Sequence, residues 1–196
     1  MDFLSPVTLT GARVSLSPMN IEDIDGLAAA SADGDLASLH YTQVPAPPDM
    51  GDWVEQCLAR QRTGTFMPFV ARRLDTGAII GMTAFLNVTP EDRRLEIGNT
   101  WNAASAQRSG TNTESKLLLL GHAFETLDCI AVEFRTHWLN QQSRRAIERL
   151  GAKHDGVLRN HRLMPDGSLR DTAVYSILPH EWPAVRRELQ RQLQSR

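Results

Sequence analysis

Gln107-Arg108-Ser109-Gly110-Thr111-Asn112 is a small, polar run rich in backbone donors. It follows a short mixed apolar and polar stretch from Leu95 to Trp101 and precedes apolar positions at Leu117, Leu120, Phe124 and Leu127. Steps of three and four put those four on one helix face, so the segment reads as a strand, a turn and a helix. Such a junction makes an anion site. The first helical N–H groups lack intrahelical partners, the helix dipole favours negative charge, and Gly110 permits close backbone approach. A phosphate-bearing ligand is the expected guest. Thr111 with Glu114 also fits a capping box, which would make the same residues a plain helix start.

Other elements must position that turn. Leu9 to Met19 suits a first strand, and Asn20 can cap a helix carrying Ile21, Ile24, Leu27 and Ala28 to about Gly34. Pro45, Pro47 and Pro48 make Tyr41 to Met50 a surface loop, after which Asp49 or Asp52 starts a helix with Trp53, Cys57 and Leu58, ended by Gly64. Phe66 to Leu74 and Ala78 to Val88 form a hairpin about Asp75-Thr76-Gly77. Pro90-Glu91-Asp92 turns into the Leu95 strand. Cys129 to His137 alternates as a strand, with Ile130, Val132 and Phe134 facing one way and Glu133 and Arg135 the other. It lies one helix after the Leu95 strand, so the two should be parallel. A helix follows from Asn140 to Leu150, stopped by Gly151. Val157 to Met164 and Ser168 to Leu178 form a second hairpin about Pro165-Asp166-Gly167, and Glu181 to Gln194 is a mostly charged final helix.

With 196 residues the chain suits a single domain, 1–196, able to bury a core without disulfides or a structural metal. The 21 Lys and Arg against 23 Asp and Glu give a formal charge of -2, which offers no reason to expect nucleic acid or an anionic membrane as partner. Cys57 and Cys129 lie in no CxxC pattern, so no metal is expected and a reducing compartment fits. No basic leader is evident, and no stretch approaches the roughly 18 to 20 apolar residues of a membrane helix, so a cytoplasmic protein is expected.

The order of elements, with this turn after the fourth strand, resembles the GNAT family of acyl-CoA-dependent N-acetyltransferases, and within it the Rim-type branch of ribosomal-protein N-terminal acetyltransferases. The likeness rests on Leu95-Glu96-Ile97-Gly98, Gln107-Arg108-Ser109-Gly110, Asn112 to Leu119, His122-Ala123-Phe124-Glu125, Asn140 to Ile147, Leu150-Gly151-Ala152, Gly156-Val157-Leu158-Arg159 and Glu181-Trp182-Pro183. It implies an α/β fold with a central mixed sheet of about seven strands, mainly antiparallel, flanked by four to five helices. The fourth and fifth strands are parallel and splayed.

The resemblance also implies roles. The loop from Gln107 through Arg108, Ser109, Gly110, Thr111 and Asn112 to Thr113 would hold the coenzyme A pyrophosphate, although Asn112 stands where the wider family has Gly or Ala. Thr100, Trp101 and Asn102 would offer backbone to the pantetheine arm. Asn140 would reach the pantetheine amide, or serve as the N-cap of its helix, and Arg144 would meet the adenosine phosphate. Acetyl transfer to an amine needs a base, for which Glu96 is the first candidate and Glu91 and Asp92 the next; Glu96 paired with Arg93 or Arg94 is the competing reading. The family's usual tyrosine is Ile147 here, so Ser143 becomes the candidate acid for the thiolate. Tyr41, Trp53, His137 and Trp138 would line the acceptor pocket. Expected from this are acetyl-CoA as co-substrate, an amine acceptor and a homodimer. A coenzyme-binding module without turnover is the alternative.

Overall fold

The order of elements in the computed structural model is β1 (Leu9–Thr10), β2 (Val14–Pro18), α1 (Ile24–Ala32), α2 (Met50–Gln61), β3 (Met67–Arg73), β4 (Ile79–Thr89), β5 (Arg94–Asn102), α3 (Thr111–Gly121), β6 (Ala131–His137), α4 (Gln141–Arg149), β7 (Lys153–Leu163), β8 (Leu169–Ile177) and α5 (Trp182–Gln194). The structure describes residues 3–34, 36, 44–164 and 166–195. The strands form one sheet in the order β1-β2-β3-β4-β5-β6-β8-β7. Every neighbouring pair is antiparallel except β5 and β6, the strands joined through α3.

Eight strands stand where seven were expected, because the Leu9–Met19 run breaks in two. At its break the N–H groups of Ala12, Arg13 and Val14 turn away from any strand and donate to the Glu114 carboxylate at 2.9, 2.7 and 2.8 Å. A carboxylate that accepts several backbone donors can replace a stretch of ladder. Gly11 is required there: a Cβ would come within 2.4 Å of the Glu114 side chain.

Asn20 caps the first helical turn as expected, accepting from the Glu22 N–H, while Asp23 accepts from the Asn20 N–H. Ile130 is 44% exposed and precedes β6, so the alternation begins at Ala131, with Val132 and Phe134 buried. The central helix departs from its expected stripe. Its core contacts are Leu119, Leu120 and Ala123, and the α-helix gives way after Gly121 to one π-helical turn, His122–Thr126. Leu117, Phe124 and Leu127 are partly buried and pack against the margin of the core. α5 is amphipathic, with Trp182, Val185 and Leu189 buried, and it packs on α3. Among the described residues no helix is long and apolar enough to cross a membrane.

Candidate active site

β5 is paired to β6 only at Arg94↔Ala131, Leu95↔Val132 and Glu96↔Glu133. Beyond Glu96, β5 stays on β4 as far as Asn102, while β6 continues along β8 to His137. The two parallel strands therefore part at Glu96 and leave one edge of Ile97 to Asn102 unpaired by β6. An unpaired strand edge is a template for an extended chain carrying amides. A bulge accompanies the parting: the β4–β5 register slips between Met82 and Ala84, and Asn99 takes φ 49°. Thr100 is exposed, Asn102 half-buried and Trp101 buried, with an indole N–H that finds no acceptor among the described residues.

The loop after β5 turns through two left-handed residues, Arg108 at φ 61° and Gly110 at φ 91°. Alternation of this kind turns successive N–H groups toward one point and forms an anion nest. The hydroxyls of Ser109 and Thr111 donate to the Ala106 carbonyl at 2.6 and 3.3 Å, which braces the loop from behind. The N-cap of α3 is Gly110, with no side-chain cap. The capping-box reading of Thr111 and Glu114 is thereby corrected: Glu114 serves residues 12–14, and the N-terminus of α3 stays open to a ligand. A Cβ on Gly110 would find its nearest atoms at 3.6 to 3.7 Å, on Leu193 and Arg13, so the glycine answers to its backbone angle rather than to crowding.

Lys116 lies beneath this junction, and the sequence reading passed it over. Its ammonium is buried and donates to Thr83 Oγ1 at 3.2 Å and Thr100 Oγ1 at 2.6 Å, tying α3 to the bulged part of β5. Burial pushes its pKa down to about 7. Its position three and four residues before Leu119 and Leu120 was the available signal.

At the vertex, Glu96 is buried. Asn87, itself at φ 48° in a second bulge of β4, donates its amide to Glu96 Oε2 at 2.7 Å, and Arg135 Nε lies 3.6 Å from the same oxygen. Burial raises the Glu96 pKa above the usual carboxylate range, against the opposing pull of Arg135 and Asn87, with neighbouring Glu133 adding to the rise. A buried carboxyl with a raised pKa at a cleft is suited to proton transfer. Neither Arg93 nor Arg94 is its partner: Arg93 pairs with Asp128 and Arg94 with Glu133. Burial disfavours the Glu133 carboxylate, yet hydrogen bonds from Arg94 and Arg135 prevail and hold its pKa low. Glu91 and Asp92 are exposed in the single 3-10 turn before β5, at the closed end of the β5–β6 pair.

On the far wall, Asn140 acts as the N-cap of α4, its Oδ1 accepting the Ser143 N–H at 2.9 Å. The Ser143 hydroxyl makes no hydrogen bond among the described residues, so it does not brace its own helical turn. Arg144 departs from expectation. Its Nε donates to the Tyr175 hydroxyl at 3.0 Å and its guanidinium stacks 3.9 Å over the Trp138 ring, so both side chains are engaged in packing. His137 Nδ1 accepts the Leu139 N–H at 3.0 Å at the end of β6. Trp53 packs half-buried against the core from α2. Tyr41 lies outside the described residues. His122 stacks on Phe85 with ring centres 6.2 Å apart.

Comparison with known proteins matches residues 13–153 to the family model described as an acetyltransferase (GNAT) domain. YdaF of Bacillus subtilis (strain 168), named as a ribosomal N-acetyltransferase, is 32% identical over 106 residues, 54% of this chain and 57% of its own. The match thus spans just over half the length of that relative. Among solved structures, a GCN5-related N-acetyltransferase from Brucella melitensis aligns over 96% of this chain and 86% of its own with a TM-score of 0.85 and 27% identity. Mycobacterium smegmatis RimJ, solved in complex with CoA-disulfide, shares the fold with a TM-score of 0.79 over 95% of this chain and 94% of its own at 22% identity.

Proposed function

Because the chain belongs to the GNAT acetyltransferase family, we propose that it moves the acetyl group of acetyl-CoA to a primary amine by direct attack in a ternary complex. The observation that carries this reading is the parting of β5 and β6 with Glu96 at its vertex. The N–H groups of the loop 107–113 at the start of α3 would take the pyrophosphate, and the edge of Ile97 to Asn102 left by β6 the amides of the pantetheine arm. Glu96 receives a proton from the acceptor ammonium. The neutral nitrogen adds to the thioester carbonyl, the adduct nitrogen loses its second proton to water, the C–S bond breaks, and the thiolate leaves with a proton from water, directly or through the Ser143 hydroxyl, which water reprotonates. A thiol pKa of about 8.5 makes that departure easy without a strong acid. Cys57 and Cys129 are buried with pKa values pushed up by burial, to about 11 and about 12, which disfavours an acyl-enzyme. The name of the Bacillus relative supports a protein N-terminus among the acceptors, alongside small amines and amino acids.

One feature favours a second reading, a coenzyme-binding module without turnover: Ile147, where the resemblance expects tyrosine, is buried and apolar. The two separate on thiol release from acetyl-CoA with a panel of peptides and small amines. Amine-dependent release is expected. Release at background with every amine, while CoA still raises the unfolding temperature, would select the binding module.

A further inference from the structure

The face of the sheet that carries Glu96 also carries an uncompensated cluster of cations. Pairing of Glu96 with Glu133, of His137 with Thr172 and of Arg162 with Arg170 sets the faces of four strands. Because side chains alternate along each strand, Glu96, Glu133, Arg135, His137, Thr172, Arg170 and Arg162 leave the same face. A bulge in β7 between Leu158 and Arg162, with Asn160 at φ 48°, brings His161 Nδ1 to 3.1 Å from the Thr172 hydroxyl, which also receives Arg170 Nε at 3.1 Å.

The carboxylates here are already engaged. Glu133 takes Arg94 and the fork of Arg135 at 3.1 and 2.7 Å, and Glu96 takes Asn87 and the longer contact from Arg135. Arg162 and Arg170 face each other across the β7–β8 ladder, and among the described residues neither has a carboxylate within ion-pair distance. Like charges directly opposed on a sheet are destabilising, and more so when one is half-buried as Arg170 is. Their field reaches the site. Burial and then Arg162 lower the Arg170 pKa, while Glu96 raises it; His161 is lowered by burial and then by Arg162, Arg135 and Arg170. Such an arrangement lacks one component, an anion lying between the two guanidiniums within reach of Glu96.

We propose that Arg162 and Arg170 form an acceptor subsite for an anionic group, so that the preferred acceptor is a primary amine carrying a carboxylate a few bonds away. This rests on the acetyl-transfer reading above. The amine meets Glu96 and the carboxylate meets the two guanidiniums, whose planar donors suit it. A free amino acid and a peptide with an acidic residue near its N-terminus share that chemistry.

The test compares matched acceptors by thiol release. Glycine, glutamate and phenylalanine are paired with their carboxamides, and a Ser-Asp peptide with its Ser-Asn counterpart; the first arm probes amino acids and the second peptide N-termini. The expected result is kcat/KM at least about tenfold higher for the anionic member in one arm, a preference that falls toward unity in Arg162→Gln and Arg170→Gln. Equal use of acid and amide, or a preference that survives both substitutions, would overturn the subsite. Should no amine react, transfer itself fails, and the subsite is read from thermal protection of CoA-saturated protein by the same compounds. Protection by the anionic members that is lost in the double variant sustains it, and absence of protection in the unmodified protein overturns it.

Discussion

The two halves of the cleft are built from different materials. The wall formed by the loop 107–110, the start of α3 and the free edge of β5 presents backbone: N–H groups aimed by two left-handed residues, and a strand edge exposed by the divergence of β6. The wall around Glu96 presents charged side chains gathered from β5, β6, β7 and β8. Backbone recognition depends on conformation and tolerates changes of side chain. Side-chain recognition depends on identity, because each charge there is balanced by, or waits for, a particular partner. Substitutions on the first wall should therefore act through folding and geometry, and those on the second through chemistry.

Glu114 is where the first wall should break most severely. Glu114→Ala leaves three backbone donors without their acceptor, that of Val14 buried. Charge-assisted hydrogen bonds contribute about 1.5–3 kcal/mol each, so a loss of roughly 4 kcal/mol is expected in urea unfolding, together with weaker CoA protection. A loss below about 1 kcal/mol would show that the clamp is dispensable.

Lys116 ties α3 to β4 and β5 within the first wall and is the next largest effect. Its folded pKa of about 7 lies below the unfolded value near 10.4, so the folded state holds fewer protons between those limits. Stability should climb as pH rises from about 7 to about 10, and the burial penalty is fully present below that window. The gross penalty is on the order of 5 kcal/mol, part of it offset by the hydrogen bonds to Thr83 and Thr100. Lys116→Met should flatten the dependence, measured as urea midpoints across this range. An unchanged slope would assign the dependence to other groups.

Gly110→Ala separates geometry from crowding. The added methyl group has room, but φ 91° disfavours any L-residue by about 1–2 kcal/mol, so CoA affinity by calorimetry should fall about tenfold as the loop relaxes. Unaltered affinity would remove the nest from the account. Ser143→Ala should be the mildest change, lowering kcat less than about tenfold, since a thiolate leaves readily without an acid. A loss beyond about a hundredfold would make the hydroxyl the working acid.

Legibility in the sequence follows the same division. The loop, the hairpin turns and the β-α-β unit could be read because glycine, proline and short polar runs act on their own neighbours. Glu114 looked like half of a capping box because its partners lie about 100 residues away, where only the folded chain brings them close. Lys116 drew no assignment because nothing in its neighbours announces its partners on β4 and β5, and the contacts of Arg144 with Trp138 and Tyr175 likewise come from distant parts of the chain. The opposition of Arg162 and Arg170 depends on a bulge at Asn160, which local pattern does not announce. Glu96 was legible as a candidate, but its engagement with Asn87 and Arg135 required strand register and two-sided burial.

Glu96 stands at the point where β5 and β6 separate, and its role decides the chemistry. The most direct measurement is kcat/KM of Glu96→Gln across pH with an acceptor that the unmodified protein acetylates. In the unmodified protein the rate should rise through an inflection above the usual carboxylate range, as burial dictates. The amide keeps the shape but has no basic oxygen to accept the ammonium proton, so kcat/KM should fall about 10²- to 10⁴-fold and lose that inflection. A Glu96→Gln protein within about twofold of the unmodified rate, with the inflection retained, would contradict the assignment.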